Sequence, residues 1–104
     1  MALRVKIAAR AAAEVRRAAE WWAPNRPAAP GAIGKDFGEA VTLLAEQPGI
    51  GSKYEGSKAV GVRRLYLSRV RYFVYFKVEG ESLHILAFSK RIGAASLPYE
   101  RADA

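Results

Sequence analysis

Leu3, Val5 and Ile7 alternate with Arg4 and Lys6, the period of two that marks a strand with one buried face. The run AARAAAEVRRAAEWWA then changes to helical composition, rich in Ala, Arg and Glu. Within it Ala11, Val15, Ala18 and Trp22 recur at helical spacing and predict an apolar stripe, with Arg16, Arg17 and Glu20 turned away from it. The segment PNRPAAPG, with three prolines in eight residues, is expected to stop this helix and reverse the chain. A second helix is expected from about Ala28 to Glu46, with Ile33, Phe37, Ala40, Val41 and Leu44 as its stripe. Pro30 is tolerable there only in the first turn. Gly34 and Gly38 weaken the helix by about 1 kcal/mol each relative to Ala and suggest close packing against the first.

After the turn-rich connector QPGIGSKYEGSKAVG the pattern becomes that of strands. In GVRRLYLS the inward positions are read as Val62, Leu65 and Leu67, with Arg64 and Tyr66 outward. RYFVYFKV is a near-continuous aromatic and β-branched run, as a central strand covered on both faces would have. Gly80, in Glu79-Gly80-Glu81-Ser82, is placed for a positive φ in a hairpin turn that leads into the partner strand LHILAF. The element order is therefore β-α-α-β-β-β: an α+β domain in which an N-terminal strand and a helical hairpin pack on an antiparallel sheet. Residues 1–92 are expected to form this single domain and 93–104 a polar tail.

Charge changes the picture more than composition does. The chain of 104 residues carries a formal +7, and most of that excess is local. Residues 53–77 hold seven cations (Lys53, Lys58, Arg63, Arg64, Arg69, Arg71 and Lys77) against Glu55 alone, a net +6. A face so charged attracts nucleic acid or an acidic protein. The absence of cysteine excludes a disulfide framework, a thiol nucleophile and a Cys-based zinc site. With one histidine, His84, no metal site and no Ser-His-Asp triad is expected. No apolar run reaches the ~18–20 residues of a membrane span, so no membrane partner is expected. The opening residues lack a secretory pattern, which makes a cytoplasmic protein the expectation.

Chemistry that this composition permits is limited to Arg, Lys, Tyr and His84. As a strand residue His84 is either a partly exposed side chain or a general base. Arg and Lys can hold phosphate and stabilise developing charge while Tyr handles a proton. Arg64, Arg71, Lys90, Arg91 and Tyr99 are the candidates for that role, or alternatively a plain positive rim. Trp21 and Trp22, about 100° apart on a helix, cannot both enter one core: spacing assigns Trp22 to it and leaves Trp21 as an interface candidate.

These pieces, in order, resemble the ParE/RelE toxin superfamily of type II toxin–antitoxin modules, over roughly residues 3–92. The carriers are LRVKI, EWWAPNRPAAP, LLAEQPGIG and GVRRLYLSRVRYFVYFKVEGESLHILAF. Trp-Trp with Asn-Arg-Pro after it, followed by Leu-Ala-x-x-Pro-Gly-Ile-Gly, is similar to the ParE-like, plasmid-stabilisation branch. That branch implies a toxin that inhibits DNA gyrase, needs no cofactor and is neutralised by an acidic, ParD-like antitoxin. The antitoxin would lie along Val15, Ala18, Trp21 and Trp22 and reach Arg63, Arg64, Arg69 and Arg71. Lys90 and Arg91, after the last strand, would meet the target. The RelE-like alternative is a ribosome-dependent mRNA endonuclease, with Arg71, Arg91 and Tyr99 as its catalytic residues. RelE-like members carry an arginine two residues before the central Val-Tyr, where this chain has Tyr72, a departure that favours the ParE-like branch. A third reading is a decayed toxin kept as a protein-binding module.

Overall fold

A computed structural model describes residues 2–56 and 59–90. Lys58, Arg91, Tyr99 and the tail expected at 93–104 lie outside the described residues. The elements are β1 (Arg4–Ile7), α1 (Ala9–Asn25), α2 (Ala32–Glu46), a 3-10 turn (Pro48–Ile50), β2 (Ser52–Lys53), β3 (Arg63–Leu67), β4 (Tyr72–Glu79) and β5 (Ser82–Ser89). Five strands make one sheet in the order β1-β5-β4-β3-β2. The α+β architecture and the element order match the sequence reading, with the short β2 added. The sheet is mixed, because β1 runs parallel to β5 while the other neighbours are antiparallel. A parallel pair needs a crossover, and the helical hairpin is that crossover.

The helix boundaries depart from the expected ones for traceable reasons. α1 continues through Pro24 to Asn25. Near a helix end a proline costs little, and here the Asn25 side-chain amide donates to Trp21 O (2.7 Å) and the Arg26 N–H to Trp22 O (2.7 Å). α2 starts at Ala32, not Ala28, since Ala29 N–H donates to Arg26 O and Ala32 N–H to Ala29 O, two successive tight turns. Pro30 thus lies in the connector. Trp22 Nε1 donates to Ala29 O at 2.8 Å and ties those turns to the core. Gly34 and Gly38 do not mediate helix packing, because a β-carbon on either would touch nothing within 4 Å.

The core lies mainly between the hairpin and the sheet. Ala11, Ala18, Trp22, Ile33 and Leu44 from the helices meet Val74, Phe76, Leu83, Ile85 and Phe88 from β4 and β5. Burying each large apolar side chain is worth about 1.5–3 kcal/mol. A second cluster of Val62, Tyr75, Leu86 and Ala87, flanked by Tyr54 and Phe73, is separate from the first. β4 therefore has a covering on both faces, as its composition predicts, whereas Val62 joins the second cluster instead of sharing one with Leu65 and Leu67. A β-bulge arranges this. Tyr75 pairs with Ala87 but Phe76 with Ile85, so Leu86 is an extra residue. It lets Ile85 and Phe88 serve the first cluster while Leu86 and Ala87 serve the second. Gly80 turns β4 into β5 with φ +58°. Gly51 sits where a β-carbon would fall 2.5 Å from the Phe76 ring, so only glycine lets the connector pass there.

Candidate functional site

The exposed end of α1 and the β3–β4 turn place the candidate residues, and burial sorts them. Ala18 (6% exposed) and Trp22 (9%) are core, and Val15 packs against that core. The helical stripe read as a partner surface is therefore largely spent on the protein's own sheet. Trp21, one residue off the stripe, is 46% exposed.

The four arginines around β3 divide in the same way. Arg63 donates to the backbone oxygens of Gly49 (3.3 Å) and Gly51, holding the connector against β3. Arg64 lies over the rings of Phe73 (4.3 Å) and Tyr54 (5.0 Å), with its Nη1 3.5 Å from the Tyr75 hydroxyl. Arg69 makes a two-point contact with Asp36 of α2 (3.0 and 2.5 Å), a carboxylate that raises the guanidinium's already high pKa. Among the described residues, the Arg71 guanidinium is bound by no other side chain. Its backbone is unusual too, for φ is +64°. An L-residue in that left-handed region pays about 1 kcal/mol relative to glycine.

Arg71 lines a cavity of about 380 Å³ together with Trp21, Trp22, Arg26, Arg69, Val70 and Lys90. The Arg26 guanidinium sits 5.3 Å from the Trp21 ring centre and 5.7 Å from that of Trp22. Lys90 Nζ is 5.6 Å from Trp21 and 5.7 Å from Tyr72. Aromatic faces hold these two cations, and no Asp or Glu lines the cavity among the described residues. A neighbouring cavity of about 330 Å³ shares Trp21 and Lys90 and adds Arg17 and Glu14. Glu14 is engaged there: Oε1 accepts the Phe88 N–H at 2.9 Å and Oε2 the Arg10 Nε–H at 3.2 Å. A third hollow, about 410 Å³, runs between α2 and β3 over Ala40, Leu43, Leu65 and Leu67, with charged side chains at its rim.

The structure thus brings Trp21, Arg69, Arg71 and Lys90 into one region and leaves Arg63 and Arg64 apart from it. Arg26, which the sequence reading did not single out, belongs to the same region; its position just beyond a Trp-Trp pair was the available signal. Arg91 and Tyr99 lie outside the described residues.

His84 stands elsewhere on β5, in register with Lys6 and Lys77 on the flanking strands. Its Nε2 is 3.4 Å from a Glu79 oxygen. That is a cross-strand polar contact, on a different part of the sheet from the cavity residues. Burial pushes the Tyr72 and Tyr75 hydroxyls above the ordinary tyrosine value, with Arg64 partly opposing the shift at Tyr75. Neither phenol is therefore poised to lose a proton near neutrality. Among the described residues no group of His, Cys, Asp or Glu could hold a metal, and no helix is long and apolar enough to cross a membrane.

Comparison with known proteins identifies the family. Residues 5–91 match the family model described as the ParE toxin of the type II toxin–antitoxin system parDE. A search of curated proteins found no match. Among solved structures, the chain is similar to one from a chromosomal ParDE toxin–antitoxin system of P. aeruginosa. The TM-score is 0.70 at 25% identity, covering 88% of this chain and 97% of that one.

Proposed function

Because the chain belongs to the ParE toxin family of type II toxin–antitoxin systems, we propose that it acts as a cytoplasmic inhibitor of DNA gyrase held in check by an acidic, ParD-like antitoxin. The similar structure comes from a ParDE system, and a ParD-like partner is carried over from it. One observation carries the reading at the level of residues: an exposed Trp21 is surrounded by Arg26, Arg71 and Lys90 with no carboxylate lining their cavity among the described residues. Such a surface complements an acidic chain, which gains charge-assisted contacts as it orders on the toxin. The apolar hollow between α2 and β3 offers a second seat for the same chain, taking alternate apolar side chains over Leu43, Leu65 and Leu67. Because Ala18 and Trp22 are core, the antitoxin would engage α1 through Trp21.

Expression in a bacterial host tests this. Without the antitoxin, growth should arrest and plasmid DNA recovered from the cells should lose negative supercoiling. With the antitoxin co-expressed, both should return to normal. Arrest accompanied by cleaved messages and normal plasmid topology would instead assign the mRNA endonuclease activity. Absence of arrest would leave only a protein-binding module.

A further inference from the structure

The geometry points to the cavity of Trp21, Arg26, Arg71 and Lys90 as a binding site for the phosphodiester backbone of a nucleic acid. The inference rests on the cavity itself and holds whether or not gyrase is the target; the antitoxin proposed above would cover the same surface and compete with the nucleic acid for it.

Three elements contribute its charge: the end of α1 (Arg26), the β3–β4 turn (Arg71) and the residue after β5 (Lys90). Like charges from separate elements repel when gathered, and here π faces, not carboxylates, hold two of them. Arg71 adds an independent sign. It occupies a left-handed backbone position that glycine would fill without strain, and the residue lines this cavity. A strained residue with an unspent functional group points to a role for that group.

The same wall indicates which anion fits. Arg69 shows what a carboxylate does here: one arginine and Asp36 satisfy each other in a two-point contact. Three further convergent cations call for an anion whose oxygens point in several directions, as those of a phosphate do. At about 380 Å³ the cavity lies within the ~300–1,000 Å³ range of small-ligand pockets. It suits a nucleotide unit and is narrow for a partner's helix. The adjoining cavity shares Trp21 and Lys90 and carries the positive wall on to Arg17. Glu14, in that second cavity, is already engaged by the Phe88 N–H and Arg10. Cations at successive positions along a surface match a polymer with regularly spaced charge.

The test uses the protein's own fluorescence, since its two tryptophans both line the cavity. The full chain is titrated at low salt with a short DNA duplex, a single-stranded RNA of equal length, and polyglutamate of matched charge. Arg71→Gly and Lys90→Ala should each weaken nucleic-acid binding about five- to tenfold and lower the salt slope by about one. Arg16→Ala, an equal loss of charge outside both cavities, should change affinity less than about twofold. A preference for the duplex or for RNA identifies the natural source of the phosphodiester. The proposal is overturned if neither nucleic acid binds, if Arg16→Ala weakens binding as much as the cavity variants, or if polyglutamate binds as tightly. Arg71→Gly relieves strain and should fold, and Lys90→Ala tests the same site without touching the turn.

Discussion

A side chain's neighbour in space, more than its type, decides what it can do in this protein. Arg63, Arg64, Arg69 and Arg71 look interchangeable in sequence, yet three of them are committed to backbone oxygens, aromatic rings or Asp36. None of this was legible, because Asp36 lies 33 positions from Arg69 and periodicity within a strand carries no information about such a partner. The division of labour between Trp21 and Trp22 was legible, since a helix turns by about 100° per residue. Arg71→Gly should raise stability by about 1 kcal/mol by removing left-handed strain, read as a shift in denaturant midpoint at constant slope. Trp22→Phe should cost about 0.5–1.5 kcal/mol, because the aromatic body stays while the indole bond to Ala29 O is lost and that oxygen keeps only its bond from the Ala32 N–H. The raised Tyr75 and Tyr72 hydroxyls have a further consequence. A phenol harder to ionise when folded contributes stability that is complete below the ordinary value of 10.0 and is lost as pH rises above it. In an alkaline titration followed by phenolate absorbance, part of the tyrosine signal should therefore appear late and together with unfolding.

At the level of elements, hydrophobic period was a sound guide to which segments form helices and strands, and a poor one to where they stop. α1 ignores Pro24 because the bonds of Arg26 and Asn25 take over at its end. The β-bulge at Leu86 was invisible for a related reason. LHILAF is apolar throughout its second half, so no alternation exists there in which a shift of phase could be seen. Gly34 and Gly38 suggested tight helix contact but face open space. Gly34→Ala and Gly38→Ala should each stabilise the protein by about 0.5–1 kcal/mol, measured by chemical denaturation. Gly51→Ala should act in the opposite sense, since its β-carbon would meet the Phe76 ring in the core.

For the whole molecule, the β-α-α-β-β-β order places the end of α1, the β3–β4 turn and the exit of β5 side by side, which concentrates unpaired positive charge beside Trp21. The sequence revealed an excess of charge in residues 53–77 but not this focus, two of whose three unpaired cations (Arg26 and Lys90) lie outside that stretch. Membership of the ParE toxin family gives such a surface a biological setting, that of the toxin in a type II toxin–antitoxin system. The most direct measurement is a supercoiling assay in which purified gyrase acts on relaxed plasmid while the chain is added, with and without equimolar antitoxin. Supercoiling should fall with increasing toxin and recover when antitoxin is present. Unchanged supercoiling at toxin levels that arrest growth would contradict gyrase as the target.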